Sequence, residues 1–280
     1  GQIYRTKGDI ERAIADFSQA IAVNPSFEVA YTSRGQALRG KGDLDGAIKD
    51  FDAAIKINPN DWQGLFQRGS ALAAKRDYDR AIADFDATLK LNANNAVAYN
   101  ERGVAQTAKG RSDRAIADFD QAIRLNPNYD LAYNNRGQAR RAAGDNDRAV
   151  ADFDRAIKIN GGFAAAYHNR GLAQYARGDN DRAIADLSQA IKLDAGDVMA
   201  LSDRGMAYGG KGDNDRAIKD FDQALRADPT NAVVHNNRGV AFRNQGKYDQ
   251  AVEDFDQAIK LKPSYAVAMY NRGTAYYDKL

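Results

Sequence analysis

The sequence contains no cysteine, which excludes disulfides, thiolate zinc sites and cysteine nucleophiles and leaves the redox compartment open. No apolar run approaches the roughly 18 residues that a membrane-spanning helix needs. The opening GQIYRTKGDI lacks the charged-then-apolar layout of a signal peptide. Membrane insertion is therefore not expected. Charge of one sign is also missing. Forty basic against 38 acidic side chains leave a net +2, without the basic excess that counterion-release binding to nucleic acid requires, so nucleic acid is not an expected partner. A cytoplasmic location is the expectation, with Gly1 rather than Met at the start leaving room for a leader or a further domain upstream.

What is present suffices to fold. Hydrophobic residues make up 44% and charged residues 28%, too apolar a mixture for a disordered chain. Nothing in the composition shifts between the two ends, which favours one continuous architecture over 1–280.

Internal periodicity dominates the chain. The dipeptide Arg-Gly recurs every 34 residues, with its glycine at Gly35, Gly69, Gly103, Gly137, Gly171, Gly205, Gly239 and Gly273. With this glycine numbered position 8 of a 34-residue repeat, Gly1 takes the same place in a first repeat that lacks its opening residues. Position 20 is alanine from Ala13 through Ala251, and position 24 is Phe17, Phe51, Phe85, Phe119, Phe153, Leu187, Phe221 and Phe255. Position 27 is alanine except at Thr88. Positions 20, 24 and 27 share one face at helical spacing, and a second helix precedes them, running through Tyr31, Gly35 and Leu38 in the first complete repeat. The repeat is thus a helical hairpin. Small residues at 8, 20 and 27 let its helices approach, and the large residue at 24 fills the space left.

The punctuation agrees. Gly-Asp at Gly42–Asp43, Gly144–Asp145, Gly178–Asp179 and Gly212–Asp213 ends one helix and offers an aspartate N-cap to the next. Pro25, Pro59, Pro127, Pro229 and Pro263 stop the second helix at position 32, and Ala93, Gly161 and Ala195 in their place predict looser turns. Repeats of this kind bury their faces only by stacking on neighbours. Tyr276 and Tyr277, on a final helix with no following partner, predict a fragment of a longer protein or end-to-end self-association through that helix.

These residues closely resemble the tetratricopeptide repeat family across essentially the whole chain. The resemblance implies an all-α, right-handed α-solenoid of about eight antiparallel hairpins: a partial repeat at 1–27, full repeats at 28–61, 62–95, 96–129, 130–163, 164–197, 198–231 and 232–265, and a single helix at 266–280. The chain departs from the family pattern at position 7, which is Arg from Arg34 to Arg272 rather than the usual leucine. Aspartate fills position 23 from Asp16 to Asp254, so a recurring Arg–Asp pair is expected, fixing helix register rather than binding anything.

No catalytic set, cofactor site or metal site is expected. Gly205 to Lys211 spells GxxxxGK, yet a phosphate-binding loop needs Ser or Thr next and joins a strand to a helix. The Asp-Asn-Asp runs at Asp145, Asp179 and Asp213 lack the glycine and glutamate of a calcium loop and read as helix capping. His168 and His235, the only histidines, occupy different repeat positions two repeats apart, without a carboxylate and hydroxyl at triad spacing. His235 reads as core.

The resemblance does supply a binding face. First helices line the concave surface of such arrays, with ligand contacts chiefly at positions 2, 5, 6, 9, 12 and 13. There this chain gathers amides: Asn100, Asn134 and Asn236 with His168 at position 5, and Asn135, Asn169, Asn237 and Asn271 at position 6. An asparagine amide both donates to and accepts from a peptide backbone. The set is similar to the asparagine ladder of O-linked sugar transferase superhelices, interrupted at Glu101 and Asp203. Beside it lie Val104, Gln138, Leu172, Met206 and Val240 at position 9, and Arg39, Arg141, Tyr175 and Arg243 at position 12. The lysines of a carboxylate clamp are absent from positions 2 and 5. The expectation is a non-enzymatic scaffold binding an extended or helical segment of a partner protein. The alternatives are the recruiting portion of a larger enzyme, or a ligand-free structural or designed superhelix.

Overall fold

The structure, a computed structural model, describes residues 7–280. The opening residues of the partial first repeat lie outside the described residues. First helices are α2 (Glu28–Lys41), α4 (Trp62–Ala74), α6 (Ala96–Ala108), α8 (Asp130–Ala142), α10 (Ala164–Ala176), α12 (Val198–Gly210), α14 (Ala232–Asn244) and α16 (Ala266–Asp278). Second helices are α1 (Lys7–Val23), α3 (Leu44–Ile57), α5 (Tyr78–Leu91), α7 (Ser112–Leu125), α9 (Asn146–Ile159), α11 (Asn180–Leu193), α13 (Asn214–Ala227) and α15 (Tyr248–Leu261). No strand occurs among the described residues. The chain is an all-α solenoid of helical hairpins.

The helices start and stop where the local chemistry dictates. Asp43, Asp145, Asp179 and Asp213 accept from the backbone N–H three residues on, satisfying a donor that the first turn would leave unpaired. The glycine before each of these caps takes a left-handed φ of 79–92°, which closes the preceding helix. Arg76 occupies the same place in its repeat at φ 63°, the one non-glycine residue among those described with positive φ. The helix ends before the proline-free turns close as the others do. Asn92, Asn160 and Asp194 close their helices on Thr88, Ala156 and Ala190 at 2.8–2.9 Å, matching the 2.9 Å of Asn58 on Ala54 before Pro59. The closing bond forms one residue before position 32, so proline there only forbids extension of the helix and does not shape its end.

The chain divides into two compact units, one ending at Ala139 and the other beginning at Arg140, within α8. In the N-terminal unit Ala47, Phe51, Ala71, Leu72, Ala81 and Phe85 form one continuous core. In the C-terminal unit Leu201, Ala217, Phe221, Ala224, Val234 and Ala241 do the same. Each buried phenylalanine contributes about 1.5–3 kcal/mol, and glycine at position 8 makes room for it. A Cβ on Gly103 would stand 2.6 Å from the Phe119 ring, and one on Gly205 would stand 2.6 Å from Phe221.

Candidate partner-binding groove

Within each unit, neighbouring first helices touch one another and neighbouring second helices do not: α2, α4 and α6 run side by side in one unit, and α10, α12, α14 and α16 in the other. The first-helix layer is therefore the tight, inner side of each unit.

Arginine at position 7 sets the spacing of that layer. Arg102 Nε and Nη2 donate to Asp118 at 2.9 and 2.5 Å, joining the two helices of one hairpin. Its Nη1 donates at 2.6 Å to Asp86 on the second helix of the preceding repeat. Arg68, Arg170 and Arg238 repeat the arrangement with Asp84 and Asp52, Asp186 and Asp154, and Asp254 and Asp222. Where position 25 is serine, Arg34 and Arg204 use Ser18 and Ser188 instead, each at 3.0 Å. Bidentate pairing with a buried aspartate holds the guanidinium of Arg68, Arg102 and Arg238 above its usual range, against the opposing effect of burial. Tyr31, Tyr99, Tyr133 and Tyr167 at position 4 lie beneath Arg34, Arg102, Arg136 and Arg170, with ring centroids 5.4–5.8 Å away.

On this frame the two asparagine rows separate. Asn100, Asn134 and Asn236 at position 5 are only 3–4% exposed, so the expectation that they face a ligand is corrected. Position 5 points into the seam with the next first helix, where its amide joins repeats. Asn135 Nδ2 donates to Asn100 Oδ1, and Asn271 Nδ2 to Asn236 Oδ1, each at 2.9 Å. His168 makes the equivalent link to Asp203 at 2.6 Å and is itself half-buried. The buried amides also hold their sequence neighbours, Asn100 donating to Glu101 at 3.2 Å and Asn236 to Asn237 at 3.2 Å. Asn135, Asn169, Asn237 and Asn271 at position 6 are half-exposed, as are Gln138, Leu172 and Tyr175.

Open cavities lie in this layer in both units. In the N-terminal unit about 310 Å³ is lined by Gln36, Trp62, Gln63, Phe66, Gln67 and Val97. In the C-terminal unit about 280 Å³ brings Tyr175 and Asn237 together with Met206 and Val240. Gln138 and Leu172 line neither. Sequence reasoning missed Trp62, Gln63 and Phe66, although an aromatic residue at position 5, Phe66, stood out from the amides in that row. Glu101, at position 6, is pushed up from the ordinary carboxyl range by burial, against the Asn100 hydrogen bond and the Arg39 charge. The Tyr129 hydroxyl is pushed up to about 12 by burial and by the negative charges of Glu101 and Asp130.

The profile of the tetratricopeptide repeat family matches residues 1–61, 66–130, 134–198, 168–232, 202–266 and 236–279. The chain belongs to the tetratricopeptide repeat family. No curated protein matches the sequence. Among solved structures, a chain of the APC/C hetero-tetramer Cut9–Hcn1 superposes with a TM-score of 0.72 at 16% identity, covering 95% of this chain and 52% of that one. This chain therefore spans about half the length of that relative. MamA superposes with a TM-score of 0.54 at 30% identity over 57% of this chain and 94% of its own. YrrB, described as a tetratricopeptide protein with an unusual peptide-binding site, superposes with a TM-score of 0.57 at 22% identity over 68% of this chain and 97% of its own. The tetratricopeptide array supports a protein-interaction scaffold. No helix among the described residues is long and apolar enough to cross a membrane.

Proposed function

We propose that this tetratricopeptide array is a binding scaffold that holds an extended segment of a partner protein along its first-helix face. In the C-terminal unit the half-exposed amides of Asn169, Asn237 and Asn271 hold the partner's backbone, and Leu172, Met206, Tyr175 and Val240 cover its side chains; Asn135 and Gln138 offer the same chemistry on the first-helix face of the N-terminal unit. One observation carries the reading: the buried position-5 amides and their neighbours fix the position-6 amides in place repeat after repeat, so little rotamer freedom is lost when a partner binds. A face kept polar only for solubility has no need of such anchoring, and asparagine is a poor helix former. Amides that pair with main-chain groups favour an extended segment over a helix, whose main chain is already bonded to itself.

The test is capture of partner proteins by the 280-residue chain and by a variant with Asn135, Asn169, Asn237 and Asn271 changed to Ala, after circular dichroism shows that both fold alike. Proteins held by the parent and lost by the variant support the proposal. An identical captured set would remove the amide row from the binding face.

A further inference from the structure

The GxxxxGK string runs along the second half of α12 rather than through a strand-to-helix loop, yet its glycines line the 280 Å³ cavity of the C-terminal unit: Gly205, Gly209 and Gly210 face it together with Tyr175, Met206, Asn237 and Val240. Gly209 is the unexplained one. Gly212, not Gly209, takes the left-handed conformation that closes the helix, so the backbone at 209 does not require glycine. Packing does not require it either, since a Cβ there would meet nothing within 4 Å. The same position carries Arg39, Arg141, Tyr175 and Arg243 in four other repeats and the smaller Ala73 and Thr107 in two. Glycine is among the least favourable helix residues. The consequence left is space: the missing side chain opens a recess in the first-helix face. A local choice that works against the fold and leaves a cavity is the pattern of a functional site.

The lining states what fits. The walls include the rings of Tyr175 and Phe221, a thioether and a valine, together with the amides of Asn214 and Asn244, and methionine adapts its shape to an apolar guest. The recess lies just below the roughly 300–1,000 Å³ that holds a whole small-molecule ligand, so it matches one large side chain and its adjoining backbone. The rim carries an amide with spare capacity. At Asn135 and Asn271 one of the two Nδ2 hydrogens is given to the asparagine of the preceding repeat. Asn237 follows Ser202 instead, and among the described residues its Nδ2 has no partner, while its Oδ1 is held by Asn236 at 3.2 Å. That N–H donor, fixed beside an apolar recess, matches a peptide carbonyl next to a large apolar side chain.

We propose that the Gly209 recess is a side-chain pocket of the binding face, taking one leucine, methionine or phenylalanine of an extended partner segment whose backbone carbonyl accepts from Asn237. The proposal rests on the reading of the first-helix face as the binding face and goes beyond it by naming the residue class the partner must carry.

The chain has three methionines, of which Met199 and Met269 are exposed, at 67% and 42%, and Met206 lines the recess. With the methionine methyl groups carbon-labelled for NMR, titration with N-acetyl-phenylalaninamide should shift the Met206 signal saturably and leave Met199 and Met269 in place, and N-acetyl-alaninamide should move none of them. Gly209→Leu fills the recess from a position where the added atoms meet open space, so the variant should melt no lower than the parent yet lose the Met206 response. A Met206 signal that stays still, moves together with the other two, or still responds in Gly209→Leu overturns the proposal. Gly209→Leu should also weaken any partner captured by the parent chain by about 10- to 100-fold, the value of one buried apolar side chain. A partner lost on changing the amide row but kept by Gly209→Leu would leave the scaffold reading standing and sink the pocket alone.

Discussion

Arg68 Nε and Nη2 grip the two carboxylate oxygens of Asp84 at 2.8 and 2.7 Å, while Nη1 of the same guanidinium reaches back to Asp52 of the preceding repeat at 2.6 Å. The two acids are not equivalent. Asp84 is 8% exposed at its side chain and Asp52 48%. Removing the buried carboxylate strands a partly buried cation, a change that costs about 3–5 kcal/mol. Removing the exposed one costs less than about 1 kcal/mol. Urea unfolding of Asp84→Ala and Asp52→Ala, compared at pH 7, should show that ratio. Equal losses would mean that the link between repeats carries as much of the stability as the pair within the hairpin.

Glycine at position 8 gives a second comparison. In Gly103→Ala the new Cβ meets the Phe119 ring at 2.6 Å, and the overpacking should cost about 1–3 kcal/mol, partly offset by the better helix propensity of alanine. In Gly273→Ala, at the same repeat position, the Cβ meets nothing within 4 Å and only the propensity gain of up to about 1 kcal/mol remains. Thermal melts should therefore move in opposite directions. A drop at both sites would show that glycine is needed there for the backbone rather than for the ring opposite.

Much of this was legible in the sequence because strict repetition makes each packing choice recur. The Arg-Gly dipeptide, the Ala–Phe–Ala face and the Gly-Asp caps each name a physical role, and the Arg–Asp pair followed from position 7 departing from leucine. The Asp-Phe-Asp triplets, such as Asp84–Phe85–Asp86, displayed the second acid as plainly, but its partner lies in the next repeat, and a hairpin taken singly does not bring it near. The contrast between Asn100 and Asn135 was not legible. Adjacent positions on a helix are separated by about 100° of rotation, and which of them turns into the seam depends on how closely first helices approach. That approach is a matter of how neighbouring repeats stack, which the arginine links and the seam amides both hold.

The two asparagine rows should separate by assay as they do in space. Asn236→Ala removes an acceptor from Asn271 and a donor from Asn237 inside the seam, and should cost about 1–3 kcal/mol of stability. Asn237→Ala lies on the half-exposed row and takes away only the acceptor of Asn236 Nδ2, so it should cost less stability than Asn236→Ala while weakening partner capture. If Asn236→Ala were silent in urea, the seam bonds would contribute nothing to repeat stacking.

Glu101 supplies the pH dependence. Its folded-state pKa lies above the usual 4.5, chiefly because burial disfavours the charged form, with the Asn100 hydrogen bond and the Arg39 charge offsetting part of the effect. In the pH range between 4.5 and that raised value the folded state binds more protons than the unfolded chain, so this residue lowers stability as pH rises through the range. Above it the cost of the buried charge is fully present, and below 4.5 it is gone. Glu101→Gln keeps the shape and removes the charge, so it should be more stable than the parent at pH 7, with the gap closing as pH falls toward 4.5. The Tyr129 hydroxyl, pushed up to about 12 partly by the Glu101 charge, should titrate at lower pH in the same variant. Urea midpoints from pH 4 to 8 together with ultraviolet titration of tyrosine check both. A stability gap that ignored pH would show that Glu101 keeps its solvent contact and that the amide row has no buried charge within it.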